Sequence, residues 1–284
     1  MIFWIASYPK SGNTWLRALL SSYYYSKDGK YDQSLIKKIG QFPEKRHFKN
    51  FEYNKDIVTD TSKYWIKAQE KINLDNSLRF FKTHNSFGAL NNNQFTDKKN
   101  SIGGIYIIRD PRNVITSLKN HYELNDDQAL EWMMNEKNFI YDVGNFEKDG
   151  YSDFQFISSW RMNYKSWKIQ SKIPIKIVKY EDLLSETFIV FKDIIKFINE
   201  ITFNKEKINI DKLKNSVSST FFDKLKDDEK KNGFSESIIS KKNKKKIPFF
   251  YLGPKNDWKK ILSEKLQTKI SDSFKNEFKE LGYK

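Results

Sequence analysis

The chain contains no cysteine. That absence removes disulfide bridges, thiolate catalysis and cysteine ligation of a metal, and it fits a cytosolic setting rather than an oxidising one. No apolar run approaches the roughly 20 residues that cross a bilayer, and the first residues lack the basic segment and small-residue cleavage site of a secretory leader. No glycine-, serine- or proline-rich linker interrupts the sequence and no repeat is visible, so the simplest organisation is one domain over residues 1–284. Arginine is scarce as well, at 6 of 51 basic residues. Specific readers of nucleic acid lean on arginine's bidentate fork. The net charge of +15 therefore reads as a lysine-rich solvated surface whose field would draw in an anionic substrate. Only the KKNKKK run at 241–246 points towards nucleic acid.

What is present is the composition of a folded chain: 38% hydrophobic residues and 16% aromatic, with 31% charged. Strand-like segments near 2–7, 78–82, 104–108 and 174–179 alternate with helical ones near 14–25, 111–123, 152–171, 185–199 and 258–281. That alternation predicts an α/β fold, a central parallel sheet flanked by helices. Residues 124–150 are more irregular and suit a lid, and 226–247 is the most polar and mobile stretch.

Three short segments carry chemistry. The first is SYPKSGNTW at 7–15, a turn between the first strand and the first helix. Unsatisfied N–H groups and the dipole at a helix start bind anions. Gly12 permits close backbone approach, Ser11, Asn13 and Thr14 supply donors, and Lys10 adds a full charge. The order is not that of a Walker A loop, whose lysine follows the second glycine. The second segment is RFFKTHNSFG at 79–88, where alternation points Lys82 and His84 to one side and Thr83 to the other. A cation beside an imidazole keeps it neutral, as a general base requires. The third is GGIYIIRDPRNVITSLKNHY at 103–122. Asp110 and Pro111 mark a helix start, which puts Arg109 at the carboxyl end of a strand. Ser117 lies two turns further on, and the pair suits a second phosphate.

Together these segments resemble the 3′-phosphoadenosine 5′-phosphosulfate (PAPS)-dependent sulfotransferase family. SYPKSGNTW is similar to its 5′-phosphosulfate loop, with Asn13 where threonine is common. RDPRNVITS resembles its 3′-phosphate motif, with Asn113 where an acid is usual. FKTH resembles the segment with the catalytic histidine of members that sulfate hydroxyl groups. WRMNYKSW at 160–167, IVKYEDLL at 177–184, STFFDKLK at 219–226 and LGPKNDWKK at 252–260 follow in the family's order along the whole chain.

The resemblance implies PAPS as co-substrate, PAP as product and no metal. It implies a donor site built from Lys10, Ser11, Gly12, Asn13, Thr14, Trp15, Arg109, Ser117, Tyr180, Thr220, Phe222, Gly253 and Lys255, with Trp15 and Phe222 as adenine-stacking pair. His84 would be the general base, assisted by Lys10 and Lys82. The family's C-terminal Arg-Lys-Gly is here Tyr251, Leu252 and Gly253, so both cations are missing, and Asn256 stands where glycine is usual. The expected acceptor is a hydroxyl of a glycan or small hydroxylated metabolite, walled by residues 40–70, 85–100 and 124–150. The competing readings are a non-catalytic binder of nucleotides or anionic glycans on the same fold, and a P-loop kinase, which lacks its Walker A order and metal-binding acids here.

Overall fold

The computed structural model describes residues 1–240 and 242–283. Lys241, the first residue of the KKNKKK run, lies outside them. Five strands make one all-parallel sheet in the spatial order Gly40–Gln41, Arg79–Thr83, Ile2–Ser7, Ser101–Ile108, Ile175–Lys179. Helices cover both faces, which is why the central strand IFWIAS is buried at every position instead of alternating with polar residues.

Its alternation instead divides the core in two. Ile2, Trp4 and Ala6 face a cluster with Phe42, Phe81, Tyr106, Trp160 and Trp167, closed by Leu266, Ile270 and Phe274 near the end of the chain. Phe3 and Ile5 face the opposite cluster, with Leu16, Leu19 and Leu20 from helix Asn13–Tyr25 and Phe191, Ile194 and Ile198 from helix Thr187–Ile201. Trp4 is fully buried among the rings of Phe95, Phe42 and Phe81, with centroids 5.0, 5.8 and 6.3 Å away. Its Nε1–H donates to Ser101 Oγ at 2.7 Å, so the one polar atom it buries is satisfied.

Two helices are shorter than their patterns. The helix expected over 152–171 spans Trp160–Ile169, because Gln155–Phe156 pairs antiparallel with Phe139–Ile140 and Ser159 caps the helix by accepting the Met162 N–H. The helix expected over 258–281 is three, Trp258–Ile261, Glu264–Ser273 and Lys275–Leu281, the second capped by Ser263. The register sets Thr83 beside Ala6, Ser7 beside Ile107 and Ile108 beside Lys179. The loops leaving four neighbouring strands thus begin side by side, at the edge where open α/β sheets hold ligands.

Truncating a fully enclosed aromatic should cost the fold dearly. Trp4→Ala is expected to lower unfolding free energy by about 3–5 kcal/mol, measured by urea denaturation. A loss under about 1 kcal/mol would contradict the packing described.

Candidate active site

A cavity of about 1020 Å³ opens at this edge. Its floor is the first turn. Lys10 and Gly12 both have left-handed backbone, at φ 66° and 101°. Glycine is required at the second position, since a Cβ there would stand 2.5 Å from the Tyr180 ring. Gly12 also serves as N-cap of helix Asn13–Tyr25 without any side-chain cap, so the first N–H groups of the helix stay open to a ligand. Asn13 faces inward, donating to Ile5 C=O at 2.9 Å and Ser7 Oγ at 3.2 Å, and so ties the helix start to the strand end.

His84 follows the strand Arg79–Thr83, and its imidazole is held from several sides. Nδ1 lies 2.8 Å from Ser7 C=O; because a carbonyl only accepts, the proton sits on Nδ1 and the lone pair on Nε2. Gln155 Oε1 accepts the His84 backbone N–H at 2.7 Å, and Asn163 Nδ2 donates to its C=O at 2.9 Å. Nε2 has no hydrogen-bond partner among the described residues. Burial, reinforced by Lys82, lowers the His84 pKa to about 4, leaving a neutral imidazole at pH 7. Lys82 and His84 line the cavity while Thr83 is fully buried, as strand alternation requires.

Of the basic side chains that line the cavity, four stand together near the first turn: Lys10, Arg17, Lys82 and Arg109. Lys10 Nζ rests 3.9 Å from the centre of the Phe249 ring, and burial lowers its pKa to about 7 against the opposing pull of Glu236. The Arg109 guanidinium lies 4.1 Å over the Tyr180 ring and NH1 donates to Lys10 C=O at 3.3 Å. Its Nε, together with Ser11 Oγ and Trp15 Nε1, is buried with no hydrogen-bond partner among the described residues. Unsatisfied donors clustered at an open helix start fit an oxyanion ligand.

Glu236 was not singled out from the sequence. Its carboxylate accepts from Arg17 NH1 at 2.6 Å, Lys82 Nζ at 2.7 Å and Thr14 Oγ1 at 3.0 Å. Burial would raise its pKa, but Lys82 and Arg17 hold it well below the usual carboxylate range. It arrives from the stretch read as mobile, which carries helix Phe222–Asn232 and a ladder between Ile238–Ile239 and Lys246–Ile247. Nothing in FSES marks that carboxylate. Arg17 did leave a signal, an arginine within the apolar run TWLRALL. His121, one turn beyond Ser117, also lines the cavity.

Of the residues expected at the donor site, Lys10, Gly12, Asn13, Thr14, Trp15, Arg109, Ser117, Tyr180, Phe222 and Gly253 line this one cavity. Gly253, at φ 54°, presses on Phe222, with room for no side chain. Three stand apart. Ser11 is fully buried beneath the turn. Thr220 is also fully buried, its hydroxyl turned back to Ser216 C=O at 2.8 Å. Lys255 is exposed on the turn Gly253–Lys255 and does not line the cavity. Of the expected acceptor walls, 40–70 and 124–150 contribute side chains, whereas 85–100 lines a separate pocket of about 160 Å³. No cluster of three or more metal-ligating side chains occurs among the described residues.

Known proteins share this fold. Residues 2–282 match the sulfotransferase domain family, and the chain belongs to it. The luciferin sulfotransferase of Photinus pyralis is 26% identical over 279 residues, covering 94% of this chain and 69% of that protein. Two solved structures share the fold at low identity. Retinol dehydratase in complex with retinol and PAP superposes with a TM-score of 0.56 at 17% identity, covering 98% of this chain and 81% of that one. A mouse sulfotransferase complexed with PAP gives 0.52 at 16% identity, with 97% and 83% covered.

The histidines give a test of the site's electrostatics. His47, His84 and His121 are all depressed by burial, to about 4, 4 and 3, from an ordinary 6.5. Between those limits the unfolded chain binds protons that the folded one does not, so stability falls as pH drops from about 6.5 towards 4. Histidine NMR should find all three rings neutral at pH 6, and a protonated His84 at that pH would overturn the assignment.

Proposed function

We propose that the chain is a PAPS-dependent sulfotransferase acting on an acceptor hydroxyl, with His84 as general base. The observation that carries this reading is a neutral imidazole whose Nδ1 is tied to Ser7 C=O, leaving Nε2 as a base in the same cavity as Lys10 and Lys82. A binder of nucleotides alone has no use for a base so oriented.

In this reading the donor's phosphosulfate lies over the first turn, against Lys10 and the open N–H groups of helix Asn13–Tyr25. Trp15 and Phe222 flank the base, and Arg109 with Ser117 takes the 3′-phosphate. Tyr251, not a cation, lines the cavity near that end. The acceptor oxygen attacks sulfur as the sulfur–oxygen bond to the 5′-phosphate breaks. The acceptor proton passes to His84 Nε2, and PAP leaves with its new negative charge facing Lys10. Preorganised cations in a dry cavity supply the larger share of such catalysis. Glu236 holds Lys82 and Thr14 through its carboxylate, so an incoming anion has to displace it.

Three measurements follow. Calorimetric titration with PAP is expected to show binding by the native chain that weakens by about tenfold or more in Lys10→Ala and in Arg109→Ala, the worth of one charge-assisted hydrogen bond. His84→Ala should retain PAP and lose turnover by about 10²–10⁴-fold; turnover near the native rate would remove His84 from the mechanism. Glu236→Gln should bind PAP tighter by roughly tenfold, whereas weaker binding would make Glu236 a support for Lys82 instead of a competitor.

A further inference from the structure

The cavity that holds His84 is also lined by carboxylates. The chain carries +15 overall, yet Glu44, Asp142, Asp149 and Asp153 stand in this cavity beside Lys37, Lys45 and Arg46. Three of the four are already engaged. Glu44 pairs with Arg46 at 2.8 Å and Asp149 with Lys45. Asp142 caps its own turn, accepting from Gly144 N–H at 2.9 Å and Asn145 Nδ2 at 2.6 Å.

Asp153 is different. It is half-buried, its carboxylate accepts one backbone N–H, from Asp142 at 3.1 Å, and no cation lies within 4.0 Å among the described residues. Burial raises its pKa to about 6, with Asp142 and Glu44 adding like charge. Next to it, Ser152 is fully buried and lines the same cavity, and its Oγ has no hydrogen-bond partner among the described residues. Two residues further, Gln155 holds the His84 backbone through Oε1. The segment 152–155 therefore joins the support of His84 to a carboxylate without a paired cation and a hydroxyl without a hydrogen-bond partner among the described residues.

Resting on the sulfotransferase reading, we propose that the acceptor is a hydroxyl compound that also carries a basic nitrogen, an amino alcohol or amino sugar, with Asp153 and Ser152 receiving the ammonium group while the reacting hydroxyl stands at His84. An ammonium supplies three donors and the charge that Asp153 lacks. It also offers partners to the half-buried Asp153 carboxylate and the buried Ser152 hydroxyl, whose desolvation the protein's own groups leave partly uncompensated. A neutral acceptor of the same shape relieves neither.

Matched probes test this: tyramine against N-acetyltyramine, and glucosamine against N-acetylglucosamine. Their binding is measured by calorimetry with and without saturating PAP, and turnover with PAPS is followed in parallel. The native chain is expected to favour the amine of at least one pair by about tenfold, and Asp153→Asn to erase that preference while PAP still binds, which certifies the variant's fold. Equal affinity for amine and amide, preference for the amide, binding of no probe, or a preference that survives Asp153→Asn would each overturn the proposal. Native protein that fails to bind PAP but keeps an Asp153-dependent amine preference would sink the donor reading alone.

Discussion

Positive charge withdrawn from water organises this molecule. Four cations meet at the carboxyl edge of the sheet, and the energetic demand they make is for an anion. Glu236 answers two of them, Arg17 and Lys82, at 2.6 and 2.7 Å. Lys10 is left against an aromatic face and Arg109 against another, with the open start of helix Asn13–Tyr25 between them. An aromatic face steadies a cation without neutralising it. The site is therefore built in a state that favours an incoming phosphate or sulfate group, and the same desolvation that raises this demand keeps the imidazole of His84 uncharged. The demand for an anion and the neutrality of the imidazole here share one physical cause.

Much of this was legible in the sequence, for identifiable reasons. The sheet declared itself because each parallel strand is short, apolar and bounded by turn residues, and the site segments follow directly on those strands. Lys10, His84 and Arg109 could be found because strand ends fix where the next residue goes. Thr220 and Lys255 could not be placed that way: both lie on irregular segments far from a strand end, where local spacing does not determine direction. Glu236 was out of reach for a stronger reason. Its partners are 154 to 222 residues away in sequence, and no local pattern encodes such a pairing. The short helices were misjudged where a serine cap cut a continuous apolar pattern, at Ser159 and Ser263.

Local rules and global architecture conflict at several places across the molecule, and some of them fall at the site. Left-handed backbone at a lysine, unpartnered buried donors and a half-buried carboxylate without a cation are all departures from what stability favours. They stand in one cavity, supported by a core whose aromatic packing on both faces of the sheet is dense.

The split core has a consequence for how the chain comes into being. One face of the strand Ile2–Ser7 is closed by side chains between Leu262 and Leu281. A ribosome emitting this chain amino end first releases Trp4 and the rings that enclose it, Phe42, Phe81 and Phe95, long before late members of the same cluster, Phe274 and Phe278. Contacts of such sequence separation demand costly loop closure before they reward it, so this half of the core is completed last, after the opposite half and the site loops have their residues in hand.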